Sequence, residues 1–195
     1  MGRELSLRTR TRATAILGGA SAAGLALALA SAPAQAVDGI ALEYGNGNSV
    51  GVELARAALQ WNWNVRWLET GNWHVGGYWD VSVARWFNDE PARTNSGLWD
   101  LGVTPVLRLQ QTTRSAVSPY VEVGVGAHLL SETSVAPDRK FSTAFQFGSH
   151  VGVGVRFGPR HAYDLSYRFQ HMSNADIKKP NDGIDFHEVR LGYWF

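Results

Sequence analysis

From Tyr120 to Leu129 the chain alternates. Odd positions carry Val121, Val123, Val125, Ala127 and Leu129, and even positions carry Tyr120, Glu122, Gly124, Gly126 and His128. A side-chain period of two is that of a strand with two unlike faces. The pattern recurs farther along, with Phe145, Phe147, Val151, Val153 and Val155 set against Gln146, Gly148, His150, Gly152, Gly154 and Arg156. A soluble sandwich buries its apolar face and wets its polar one. Here charged residues share their face with glycines, as expected of a narrow, crowded polar lumen whose apolar face is turned outward to lipid. A soluble lipocalin-like barrel is the alternative that alternation alone leaves open.

The segment Val189-Arg190-Leu191-Gly192-Tyr193-Trp194-Phe195 alternates and finishes on an aromatic residue, resembling the terminal strand of bacterial outer-membrane proteins. Reading back from it gives eight candidate strands, near 38–46, 49–61, 73–87, 97–110, 117–130, 143–157, 161–173 and 184–195. The expected architecture is therefore all-β, an eight-stranded antiparallel transmembrane barrel of the outer membrane. Polar, Pro-containing or Asn-rich connections near 88–96, 131–142 and 174–183 fall on the outer side. Gly158-Pro159-Arg160-His161 forms a tight periplasmic turn on the other. Residues 63–73 fit a longer turn or a bulged strand end. Between Val52 and Leu59 the alternation slips, which predicts a bulge.

The amino-terminal region adds a compartment. Arg3, Arg8, Arg10 and Arg12 precede an apolar run of small residues, and Ser31-Ala32-Pro33-Ala34-Gln35-Ala36 follows it, the form of a secretory signal peptide over residues 1–36 with cleavage after Ala36. Residues 37–195 then make one barrel domain. After residue 36 no stretch approaches the ~18 apolar residues of a membrane-crossing helix, so any crossing must be made by strands. The 21 Gly suit a crowded lumen, and the 8 Trp, 6 Tyr and 8 Phe suit interfacial girdles. With no Cys there is no disulfide framework, and a net charge of +1 points to no nucleic-acid partner.

Candidate chemistry gathers at one rim. In the strand over 161–173, Tyr163, Leu165, Tyr167 and Phe169 occupy the lipid face, and Asp164, Ser166, Arg168 and Gln170 the other. Continuing the parity puts His171 and Ser173 outward near the extracellular end. The last strand extends its lipid face back through His187 to Asp185. A spacing of two sets His171 and Ser173 on one face, ~6.5–7 Å apart along the backbone. A Ser hydroxyl becomes a nucleophile when a neighbouring His takes its proton, and a carboxylate on the other ring nitrogen orients that His. Ordinary rim polarity is the competing reading, because polar groups at headgroup level cost only ~0–1 kcal/mol. Glu122, His128 and His150 lie on inward registers and read as a lumen network in preference to a metal site. Asp164, Arg168, Glu188 and Arg190 read as interior charge pairs.

The run from His171 and Ser173 through Asn174, Asp176, Lys178, Lys179, Pro180 and Asn181 to Asp185 resembles the carboxy-terminal motif of the PagL family, the lipid A 3-O-deacylases of the bacterial outer membrane. Gly77-Tyr78-Trp79-Asp80 resembles that family's third strand. The resemblance implies an esterase that removes the 3-O-linked acyl chain of lipid A in lipopolysaccharide, among outer-membrane lipids and without a cofactor. It implies His171 and Ser173 as catalytic base and nucleophile, with Asp185 standing where the family pattern has Glu. Asn181 and Asn174 match loop asparagines able to donate to an oxyanion, Asn181 being preferred. Asp176 stands where Gly is expected and offers its backbone N–H. Lys178 and Lys179 either meet lipid A phosphates or stay solvated. Other functions remain open: a non-enzymatic small barrel, a phospholipase or an acyltransferase. Oligomeric state is not implied.

Overall fold

The computed structural model describes residues 36–49, 51–89, 95–113, 115–136 and 139–195. The expected signal peptide, apart from Ala36, lies outside them. Among the described residues eleven strands form: β1 (Gly39–Gly47), β2 (Val52–Asn62), β3 (Trp67–Thr70), β4 (Trp73–Asn88), β5 (Gly97–Gln111), β6 (Val117–Leu130), β7 (Ser134–Ala136), β8 (Arg139–Lys140), β9 (Phe145–Phe157), β10 (Tyr163–Ser173) and β11 (Ile184–Trp194).

The eight long strands pair antiparallel in the order β2, β1, β11, β10, β9, β6, β5, β4, and β2 pairs back onto β4. The sheet is thus a closed eight-stranded barrel, and closure gives every strand two partners. That condition lets a sheet cross lipid, where an unpaired backbone polar group costs several kcal/mol. Side chains obey the parity read from the sequence. Leu42, Val123, Val125, Val151, Val153 and Leu191 are exposed on the outer wall, although nothing but an apolar solvent suits them there. Aromatic rings cluster on that wall near the chain termini. Trp63 lies 5.9 Å from Trp67 and 5.8 Å from Trp79, and Tyr163 lies 5.5 Å from Tyr193.

The middle of the lumen is filled by paired charged side chains. Arg56, Arg108, Arg168 and Arg190 are buried against carboxylates, and Glu43 binds three of them, at 2.8 Å to Arg56, 3.0 Å to Arg168 and 2.9 Å to Arg190. Glu122 joins Arg108 and Arg168, each at 2.8 Å, and Asp164 takes Arg108 at 2.9 Å. His128 is engaged by Asp100 at 2.9 Å. Among the described residues no group of three or more His, Cys, Asp or Glu side chains is arranged to hold a metal ion. Glycine is needed where these side chains cross: a Cβ on Gly126 would stand 2.0 Å from Thr104 Oγ1.

Polarity does not extend through the whole lumen. At the end carrying the long connections, the inward residues Val52, Leu54, Trp86, Leu98, Met172 and Phe186 pack into an apolar cap, with Trp86 and Phe186 4.7 Å apart edge to face. This cap corrects the bulge expected between Val52 and Leu59. There β2 pairs with β1 and β4 in unbroken register, and what slips is polarity alone, because Val52 and Leu54 are inward yet apolar.

The unassigned stretch near 63–73 contains β3, a short strand folded back on β4 with a register shift. The connection after β6 carries the small β7–β8 hairpin, whose Val135, with Phe141 just beyond it, closes over the cap. The tight turn before β10 is a single 3-10 turn over Pro159–His161, which delays that strand to Tyr163.

Candidate active site

Met172 fixes the site. Its side chain is fully buried in the apolar cap beside Ile184, so its neighbours His171 and Ser173 must leave the barrel on the outer face. His171 stands directly opposite Asp185 across the β10–β11 ladder, the closest approach that two strands offer to a pair of side chains. Asp185 Oδ1 accepts from His171 Nδ1 at 2.6 Å, with the two side chains 49% and 30% exposed. The shorter acid therefore spans the gap, because direct opposition makes the extra methylene of Glu unnecessary.

A proton on Nδ1, held by the carboxylate, leaves Nε2 as the basic nitrogen. That edge of the ring turns toward Gly183: a Cβ there would meet His171 Cε1 at 3.1 Å and Nε2 at 3.7 Å. Gly183 also has φ +63°, so both space and backbone call for glycine. Ser173, the last residue of β10 and half-buried, lies opposite Phe147 of β9 on the same face as His171. Among the described residues its hydroxyl has no hydrogen-bond partner, and the bond from Ser173 to His171 is not closed. Catalytic hydrogen bonds commonly tighten only when substrate arrives.

The following loop is held by its polar residues. Ala175 and Asp176 both have left-handed backbone, at φ 53° and 59°, and Ile177 N donates to Asn174 O at 3.1 Å, the signature of a type I′ turn. Gly is the usual occupant of such positions, which accounts for the Gly expected at 176. Asn174 is 1% exposed and its amide donates to Lys178 O at 2.7 Å and Ser142 Oγ at 3.0 Å. Its donors are thus turned into the loop and away from the His171 face. Asn181 accepts from Asn174 N at 3.0 Å and donates to Asp176 Oδ1 at 3.1 Å, leaving one amide hydrogen uncommitted. Lys179 is largely solvated, 3.8 Å from Asp176, and Lys178 is exposed.

Two features escaped the sequence reading. Asn48, in the connection after β1, donates to Asp185 Oδ2 at 2.9 Å; in sequence it is only another loop residue beside Gly47. Ser149 lies opposite His171 on β9, and its small side chain leaves a groove of about 320 Å³ on the outer wall. Val123, Val125, Val151 and Phe169 line that groove, and His171 stands at it.

The chain as a whole has clear counterparts. The family model described as lipid A 3-O-deacylase (PagL) matches residues 51–194. The chain belongs to the PagL family. The lipid A deacylase PagL of Bordetella bronchiseptica is 33% identical over 164 residues, covering 80% of this chain and 83% of that protein. The Pseudomonas aeruginosa enzyme of the same name is 30% identical over 134 residues, covering 69% and 73%. The crystal structure of the outer membrane enzyme PagL superposes with a TM-score of 0.72 at 26% identity, covering 80% of this chain and 99% of that one. Like that PagL, this protein is an outer-membrane β-barrel, and the family is one of hydrolases.

Proposed function

We propose that this protein hydrolyses the ester-linked 3-O-acyl chain of lipid A in the outer leaflet, with Ser173 as nucleophile, His171 as general base and Asp185 as the orienting acid. The observation that carries the reading is the 2.6 Å His171–Asp185 hydrogen bond on the lipid-facing wall, with Ser173 two residues away on the same face. A soluble hydrolase would have no reason to set its triad on the outside of a barrel among exposed valines.

His171 Nε2 takes the Ser173 proton as Oγ attacks the acyl carbonyl. Asp185 holds the Nδ1–H tautomer and stabilises the imidazolium. Oxyanion donors are drawn from the loop that follows: the uncommitted amide hydrogen of Asn181 and the backbone N–H of Asp176. A donor aimed at developing charge contributes roughly 2.7–4 kcal/mol. The imidazolium then protonates the departing sugar oxygen, and water attacks the acyl-enzyme with His171 again as base. The acyl chain lies along the groove lined by Val125, Val151 and Phe169, so the site meets its substrate without drawing it into water. Lys178 and Lys179, exposed in the same loop, are the proposed contacts for the lipid A phosphates.

The test is mass spectrometry of lipid A from cells expressing the protein. The expected result is loss of one 3-hydroxyacyl group, absent with the Ser173→Ala variant. Unchanged lipid A together with fatty acid released from glycerophospholipids would favour a phospholipase instead.

A further inference from the structure

We infer that Asn48 is a positioning residue of this site, acting on His171 through Asp185; the inference rests on the triad reading above. Asn48 grips Asp185 at three points. Its backbone N–H donates to Asp185 O at 2.8 Å, its Oδ1 accepts from Asp185 N at 3.1 Å, and its Nδ2 donates to Asp185 Oδ2 at 2.9 Å. Asp185 Oδ1 meets His171 Nδ1 on the other side, so the two carboxylate oxygens are divided between one amide and one imidazole.

The division matters because Asp185 is 30% exposed. A half-exposed carboxylate held at one oxygen alone rotates about its side-chain torsions and shares its lone pairs with water. An amide donor on Oδ2 fixes that rotation and holds Oδ1 toward the ring. The first two contacts would hold the strand end in place without help. The third is aimed at the carboxylate and has no part in the backbone ladder. Asn48 and Asp185 are 137 residues apart, and closure of the barrel between β1 and β11 brings them together.

The test uses the full-length protein in detergent with purified lipid A, comparing Asn48→Ala and Asn48→Asp in the native and Asp185→Ala backgrounds. Asn48→Asp keeps the acceptor for Asp185 N while replacing the donor by an anionic oxygen, and it decides the question if Asn48→Ala fails to fold. We expect Asn48→Ala to lower kcat by about tenfold with KM unchanged, the scale of one hydrogen bond to a charged group. Asn48→Asp should lose at least as much. Neither should cost anything further once Asp185 is Ala, because their effect passes through that side chain. An unchanged kcat, a loss confined to KM, or an equal loss in the Asp185→Ala background would overturn the inference while leaving the triad intact. Full activity of Asp185→Ala by itself would instead remove the triad reading, and the role of Asn48 with it.

Discussion

Ser173→Ala removes the proposed nucleophile, and His171→Ala the base that would activate it. Each should lower deacylation by roughly 10³-fold or more. Both side chains lie outside the barrel, so the folded form should still show heat-modifiable migration on gels. Near-normal turnover in either folded variant would exclude these roles. Asp185→Ala should cost less, about a hundredfold, because orienting an imidazole contributes less than supplying the nucleophile. Asp185→Glu should retain activity. Gly183 offers a separate check, since an added Cβ would press on the His171 ring at 3.1 Å from a backbone at φ +63°. Gly183→Ala is expected to lower kcat by displacing the imidazole and to destabilise by about 1–2 kcal/mol through left-handed strain. Normal kinetics in that variant would mean that the ring has another place to stand.

At the scale of elements, strands hold the site because their opposite faces do different work. β10 places Arg168 in the lumen and Phe169 in lipid, then Met172 in the cap between His171 and Ser173. A slip of one residue would bury His171 and Ser173 and expose an arginine, so register is fixed by burial on both sides. Glu43 ties this arrangement together by joining arginines from β2, β10 and β11. Removing one partner from a buried charge network commonly costs about 3–5 kcal/mol, because the remaining charges lose compensation. Glu43→Ala should therefore lower the urea midpoint of unfolding in detergent sharply, and a double variant that also removes Arg190 should recover part of the loss. Unchanged stability on loss of Glu43 would show that the remaining partners, Glu188 for Arg56, Glu122 for Arg168 and Asp80 for Arg190, compensate the three arginines by themselves.

At the scale of the whole molecule, a lumen filled with paired charges and the outward position of the proposed triad predict that substrate arrives laterally, from the outer leaflet. Phe169 faces the groove beside His171, whereas Ser166 is 4% exposed and inward. Phe169→Cys should react with a maleimide confined to the bilayer, and Ser166→Cys should not. Labelling in the reverse pattern would invert the face on which the site lies. On the proposed reading the barrel is a support that carries its site on the outer wall, braced from within by paired charges.

Eight strands, the faces they turn to lipid and the outward parity of His171, Ser173 and Asp185 were legible in the sequence, because each follows from a period-two pattern local to a strand. Asp164, Arg168, Glu188 and Arg190 were legible as interior charges for the same reason, whereas Glu43, Arg56 and Arg108, which complete the network, were not singled out. The apolar cap was not: inward Val52 and Leu54 look like a break in alternation unless the strand's position along the barrel is known. β3 and the β7–β8 hairpin carry no period long enough to read. Register between strands, and with it the direct opposition of His171 and Asp185, came from tertiary pairing alone. So did the grip of Asn48, since only closure of the first strand onto the last brings together residues 137 positions apart. Local periodicity decides which way a side chain points; ring closure decides what it meets there.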